Sequence, residues 1–318
     1  MSFVGRSLRR IEDRPLLTGQ GAFAADCNWP GQLHMRVVRS PVAFGRIIGV
    51  ETEEAAALAG VVAIWTIADL DDLPPIDFRQ MGLEGLAPYR QFVLARDYVR
   101  YVGEPVAVVV AVDPYVAEDA ADLVFCDIDE QEPQLDATAE SVAFMPDIHP
   151  GLMSEPAVIR RGYGDLDAAF AGAHKVVELE VKIGRHTGVP METRGGLCVY
   201  DADKDTLTLY GAAKVPHYNR DAISRMLGLA LGRLELSEGH VGGGFGIRGE
   251  LYPEDVLVCA AAVRLQRPVK WIEDRREHLL AANHSRDQVY RLKAAVDSSG
   301  FILGLKADFF TDQGAYVR

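Results

Sequence analysis

Several stretches of the chain alternate apolar and polar residues with the period of two expected of a strand with one covered face. Val177, Leu179, Val181 and Ile183 alternate with Glu178, Glu180 and Lys182, which predicts a half-exposed strand. Leu33–Val50 and Val61–Thr66 are rich in strand formers. Val106–Val112 is a continuous apolar run, as expected of a strand covered on both faces. Asp113 and Pro114 then supply an N-cap acid and a proline at the first helical position, predicting a helix to about Phe125. Leu197–Tyr200 and Thr206–Tyr210 flank a polar turn, Asp201–Asp205, and predict a hairpin. After Pro216, the residues Ala222, Ile223, Met226, Leu227 and Ala230 recur at helical spacing. Leu234–Val241 reads as a short strand, Pro253–Gln266 as a second helix and Arg267–Glu273 as another strand. Val289–Val296 and Phe301–Phe310 bracket Ser298–Gly300 as a long hairpin.

Proline, glycine and charge divide this pattern. Asp71–Pro88 reads as a long loop, and the five acids and Pro133 within Asp127–Asp136 mark a boundary. Pro146, Pro150, Gly151 and Pro156 then form a linker. The expectation is an α+β chain with an irregular basic arm over residues 1–14 (Arg6, Arg9, Arg10, Arg14), a first domain over 15–135 and a second over 136–318. Residues 315–318 directly follow a strand, whose edge would be left unpaired. The remainder of the second domain is therefore expected on other polypeptide.

Composition removes some functions. The 318 residues carry 33 Lys and Arg against 46 Asp and Glu, a net charge of −13. No basic face is available for nucleic acid, and anionic lipid is disfavoured for the same reason. Cys27, Cys126, Cys198 and Cys259 lack the close spacing of an iron–sulfur or zinc site, and four lone thiols suit a reducing compartment. The N-terminus lacks a signal-peptide core, and no apolar run approaches a membrane span. A cytoplasmic location is expected.

The sharpest local motif is Val241–Gly249, reading VGGGFGIRG. Consecutive glycines cost backbone entropy and suit a place where backbone must approach another group. Their N–H groups can also cradle an anion. A tight strand-to-helix turn explains them equally well on spacing alone. Gly244, Gly246 and Gly249 match the GxGxxG dinucleotide fingerprint, which leaves a nicotinamide-dependent oxidoreductase as an alternative. Against it, Pro253 falls where a helix would already be running, Phe245 separates the first two glycines, and the acids Glu273 and Asp274 sit in a mixed-charge cluster. That cluster, Glu273–His278, is expected to be a surface or interdomain ion network. His217 and His240 read as structural histidines, and Glu254 and Asp255 as acids favouring a helix start. Met191–Glu192 within VPMETRGG is a candidate functional loop, uninformative by itself.

Taken in order, RRIEDRPLLTGQGAF, GVVAIWTIADL, YVGEPVAVVVAVDPYVAEDAADLV, PMETRGG, VPHYNR, VGGGFGIRGELYPED and RPVKWIEDRREHL resemble the molybdenum-binding subunit of the xanthine oxidase family of molybdenum hydroxylases. The likeness runs through essentially the whole chain. It implies an N-terminal α/β hammerhead domain followed by the first part of a mixed α/β molybdopterin-binding domain. The implied activity is oxidative hydroxylation, by water, of an aldehyde or N-heterocyclic carbon, with molybdenum held by the dithiolene of a molybdopterin. The nucleotide form expected is the cytosine dinucleotide. Electrons would pass to 2Fe-2S clusters and FAD on partner subunits, and a C-terminal complement would complete the molybdopterin domain.

The resemblance assigns Gly242, Gly243, Gly244, Phe245 and Gly246 to the cofactor, with Lys214, Phe245, Arg248 and Glu250 as substrate-pocket candidates. Two departures stand out. Lys214 occupies a position where the family often has glutamine, and lysine has no acceptor to offer. Gly249 follows Arg248 directly, with Glu250 one residue later than in purine-oxidising members, which argues against a purine substrate. The family's glutamate base lies in sequence outside this chain. A non-catalytic assembly module remains the third possibility.

Overall fold

The computed structural model describes residues 3–77, 83–211 and 215–317. In chain order the first elements are α1 (Asp13–Leu17), β1 (Leu33–Arg39), β2 (Gly45–Glu51), α2 (Glu53–Ala56), β3 (Val61–Trp65), β4 (Tyr98–Val99) and β5 (Pro105–Ala111). Then come α3 (Pro114–Asp122), β6 (Phe125–Glu130), α4 (Leu166–Ala171), β7 (Lys175–Ile183), β8 (Gly195–Asp201) and β9 (Thr206–Tyr210). The last are α5 (Pro216–Met226), β10 (Leu234–Ser237), α6 (Pro253–Leu265), β11 (Val269–Ile272), α7 (Arg275–Ala281), β12 (Asp287–Val296) and β13 (Ile302–Asp312). The chain forms two compact units. One comprises Met1–Ile76, Phe92–Gln131 and Gly188–Ala282, and the other Asp77–Gln91, Glu132–Thr187 and Asn283–Arg318.

The first unit is built on a mixed seven-stranded sheet in the order β10-β9-β8-β11-β1-β5-β3. The β1–β11 and β9–β10 pairs are parallel, and the others are antiparallel. The apolar run of β5 serves two cores. Val108 and Val110 pack in the larger one with residues of α5 and α6, whereas Ala107 and Val109 face the smaller one with Ala55, Ala120 and Ala121 of α2 and α3. That is why β5 shows no alternation. Asp113 caps α3 as its sequence requires, its carboxylate accepting from the N–H groups of Tyr115 and Val116.

Two boundaries differ from the pattern. Helix α3 stops at Asp122, and Phe125–Glu130 forms β6, which pairs antiparallel with β2 in a separate sheet ordered β4-β2-β6. The acids of β6 alternate with the half-buried Cys126 and Ile128, so they mark an outer strand face. The strand expected over Leu234–Val241 ends at Ser237, leaving the glycine-rich segment irregular.

The second unit carries a three-stranded antiparallel sheet, β13-β12-β7. Strand β7 is exposed along its whole length. Its apolar face, Val177, Leu179, Val181 and Ile183, is in register with Ala294, Leu292, Tyr290 and Gln288 of β12. The opposite face carries the ion pairs Glu178–Lys293 and Glu180–Arg291 and receives α4, where Ala169 meets Gly304. Among the described residues, no helix is long and apolar enough to cross a membrane.

Candidate functional site

The glycine-rich segment lies in the first unit between the end of β10 and the start of α6. Its only regular structure is one 3-10 turn, Ile247–Gly249. Gly243, Phe245 and Gly246 take φ values of +106°, +47° and +94°. This region favours glycine, and a phenylalanine held there is strained. Val189, on the neighbouring loop, is strained likewise at +35°. The Phe245 side chain is presented outward, with the residue 77% exposed.

The glycines are not equivalent. A Cβ on Gly242 would stand 2.5 Å from Cβ of Glu192, so nothing larger fits. Gly244 has an ordinary φ, and a Cβ there would find no atom closer than Arg248 Cβ at 4.0 Å. Gly246 faces open space. The carbonyls of Gly244 and Gly246 accept from Ile247 and Gly249 N–H, closing the turn. The N–H groups of Gly243, Gly244, Phe245 and Gly246 have no partner among the described residues. The segment thus offers successive unsatisfied backbone donors beside a surface with room for a ligand, the arrangement that suits an anion or a polar cofactor. It offers no side-chain acid or base of its own.

Three contacts from outside fasten the segment. The Glu192 carboxylate accepts from Gly242 N–H at 2.7 Å and Arg248 Nη1 at 2.9 Å, both on Oε2. Its Oε1 accepts from Ala24 N–H at 3.2 Å. Arg248 Nη2 donates to the Glu192 carbonyl at 2.7 Å and also to that of Thr193. His240 forms a reciprocal pair with Ala22: its N–H donates to the Ala22 carbonyl, and its Nδ1 accepts from Ala22 N–H at 2.9 Å. Ring and backbone of His240 thus both fasten the chain to Ala22.

Behind the segment lies a charged network, which corrects the surface reading of Glu273–His278. Glu273, Glu277 and His278 are buried. Arg194 lies over the Tyr252 ring at 3.9 Å, donates to Glu254 at 3.1 Å and makes paired bonds to Glu273. Arg39 donates to Glu254 at 2.6 Å and to Glu277 at 2.8 Å. His278 Nδ1 lies 2.7 Å from Glu273 Oε2. Burial alone would raise the Glu254 carboxyl, but Arg194 and Arg39 overcome it and hold it down at about 2. Glu254 is therefore a buried counter-ion as well as an acid in the first helical turn. Its neighbour Asp255 is pushed up to about 6 by burial, against the opposing effects of its bond from Tyr252 N–H and the charge of Arg194.

Gly242–Gly246 thus lie together on one turn, with Gly242, Gly243 and Gly244 half-buried and Phe245 and Gly246 exposed. Arg248 is adjacent but turned inward, its guanidinium engaged by Glu192. Glu250 is partly buried just beyond the turn and has no partner for its carboxylate among the described residues. Lys214 lies outside the described residues. The nicotinamide alternative loses its geometry: Gly249 belongs to the 3-10 turn, and the α-helix starts only at Pro253. Sequence reasoning named Glu192 only as part of a candidate loop, without a role, and missed Arg194. The available signal was two opposite charges in VPMETRGG immediately before an apolar strand. Among the described residues, no group of three or more His, Cys, Asp or Glu is placed to hold a metal directly.

The family model for the molybdopterin cofactor-binding domain matches residues 148–318. The chain belongs to that family. The a/b hammerhead domain of aldehyde oxidase and xanthine dehydrogenase matches residues 18–132, so the α+β chain joins a hammerhead to molybdopterin-binding sequence, as in the xanthine oxidase family of molybdenum hydroxylases. The chain is 40% identical over 321 residues to the gamma subunit of the 6-hydroxypseudooxynicotine dehydrogenase complex of Paenarthrobacter nicotinovorans, covering 100% of this chain and 40% of that protein. It is 39% identical over 315 residues to the nicotine 6-hydroxylase large subunit of the same organism, covering 98% and 38%. Quinoline 2-oxidoreductase from Pseudomonas putida 86 superposes with a TM-score of 0.84 at 34% identity, over 98% of this chain and 40% of its own. The chain therefore spans about 40% of the length of these two curated relatives.

Proposed function

We propose that this chain provides one wall of a molybdenum–molybdopterin site in an enzyme that oxidatively hydroxylates an N-heterocyclic or aldehyde carbon with water. The observation that carries this reading is the turn Gly242–Gly246, with four unsatisfied backbone donors and no side chain to obstruct approach at Gly244 and Gly246. When bound, the cofactor supplies the redox-active metal at which water-derived oxygen and two electrons are exchanged with the substrate. The chain's own residues do the rest of what is proposed here. Gly243–Gly246 hold the cofactor through backbone N–H groups, and Phe245 presents an apolar ring toward the substrate space. By the resemblance Glu250 and Lys214 are pocket candidates, whereas the buried Arg248 supports the turn. Relatives named for nicotine, 6-hydroxypseudooxynicotine and quinoline favour an N-heterocyclic substrate.

The same reading has residues 15–135 as the hammerhead domain and 136–318 as the first part of the molybdopterin domain. It gives the cofactor as the cytosine dinucleotide form. A C-terminal complement would supply the catalytic glutamate, and iron–sulfur and FAD subunits would take the electrons. The test is the molybdenum content of the protein purified with the polypeptides it assembles with. Gly244→Ala, which the fold accommodates, is expected to lower that content severalfold. Unchanged molybdenum and turnover would overturn the reading.

A further inference from the structure

Inside the glycine-rich turn the only fastenings among the described residues are the bonds from Ile247 and Gly249 N–H to the Gly244 and Gly246 carbonyls. Gly243, Phe245 and Gly246 sit in left-handed conformations, and the N–H groups of Gly243–Gly246 are unpaired within the chain. Much of what holds the turn from outside converges on one side chain of a different loop. Three donors converge on the Glu192 carboxylate: Ala24 N–H, Gly242 N–H and Arg248 Nη1. Glu192 N–H donates back to the Gly242 carbonyl at 3.2 Å, so Glu192 and Gly242 are joined by two hydrogen bonds. Arg248, on the far side of the turn, is locked onto the carbonyls of Glu192 and Thr193. Glu192 therefore grips the turn at both ends, before Gly243 through Gly242 and after Gly246 through Arg248. Both side chains are largely withdrawn from solvent, at 12% and 5% exposure, where charge-assisted bonds are strongest.

We propose that Glu192 is a positioning residue for the cofactor wall. Through Gly242 and Arg248 it sets the direction of the four free N–H groups and of the Phe245 ring. The proposal rests on the reading of this turn as the cofactor's seat. Because every neighbour of the carboxylate is a donor, the chemistry of rescue is specific. Alanine removes all three bonds and leaves Arg248 without its counter-charge. Glutamine keeps a carbonyl oxygen for Gly242 and Arg248 but gives up the charge and the longer contact to Ala24.

The experiment compares wild type, Glu192→Ala, Glu192→Gln and Gly244→Ala in the full chain purified with its assembled polypeptides. Backbone amide exchange at Gly242 is expected to rise at least tenfold in Glu192→Ala and to return most of the way in Glu192→Gln. Molybdenum content should follow the same order, and the molybdenum(V) electron paramagnetic resonance signal remaining in Glu192→Ala should change line shape. If Glu192→Ala does not fold, Arg248→Lys is read in its place. A lysine ammonium is a compact point charge without the planar two-nitrogen fork that spans the carboxylate and the two carbonyls, and the same changes in smaller degree are expected. Wild-type exchange at Gly242 in the variants would show that the clasp does not hold the turn. Altered exchange with unaltered metal content and spectrum would leave Glu192 a purely structural residue and sink the proposal. Failure of the underlying cofactor reading shows separately, as unaltered metal content in Gly244→Ala.

Discussion

Arg39 donates to Glu254 across 2.6 Å, although 215 residues separate them in sequence. Arg39 ends β1, in the segment matching the hammerhead, whereas Glu254 begins α6, in the segment matching the molybdopterin-binding domain. Their side chains are 8% and 2% exposed, so the pair is buried and each charge depends on the other. Arg194 shares Glu254 and adds Glu273. Removing one member of such a network leaves a buried charge without its partner. Arg194→Met is expected to lower unfolding free energy by about 3–5 kcal/mol in urea titration. A loss below about 1 kcal/mol would mean that the network is not formed as described.

Two neighbouring acids give opposite pH dependences. Glu254, held at about 2 from an ordinary 4.5, contributes stability that is present above pH 4.5 and lost as pH falls toward 2. Asp255, raised from 3.8 to about 6, binds its proton more tightly in the folded state, so stability falls as pH rises through that window. Asp255→Asn keeps an acceptor for Tyr252 N–H and has no proton to lose. It is expected to flatten the decline between about pH 4 and 6 while leaving the loss at lower pH. Urea midpoints measured from pH 3 to 7 would show an unchanged slope if the Asp255 shift is absent.

Glycine substitutions should separate the fastened end of the turn from its open face. Gly242→Ala drives a Cβ into that of Glu192 and is expected to lower stability by about 1–3 kcal/mol. Gly244→Ala meets open space at an ordinary φ, so its stability should stay within about 0.5 kcal/mol of wild type. Calorimetric melting of both variants tests the contrast. Equal melting temperatures would contradict the close approach at Gly242.

The β13-β12-β7 sheet of the second unit carries an exposed apolar face. Leu179 and Phe309 on it are 56% and 61% exposed. Apolar patches of this kind drive association when nothing covers them. The chain alone is expected to self-associate in light scattering, and Leu179→Lys with Phe309→Lys to reduce the association. No change in mass distribution would indicate that another surface is responsible.

Local signals were enough for much of this architecture. Asp113 caps α3, Pro114, Pro216 and Pro253 open helices, and the polar turn after β8 joins a hairpin, because each depends on a few adjacent residues. The glycine turn was equally visible, since a run of bare backbone records a steric demand directly. The sequence did not reveal where charge would be buried. Glu273, Glu277 and His278 look like surface residues until Arg39, at the end of β1, and Arg194, just before β8, reach them, and β6 looks like an acidic boundary until β2 pairs with it. Glu192 gained its role only when Gly242, Arg248 and Ala24 were brought around it. Periodicity reports how often a side chain meets apolar surroundings within a few residues. The partners that make a buried charge tolerable are chosen by the tertiary fold, so that part of the site was decided there.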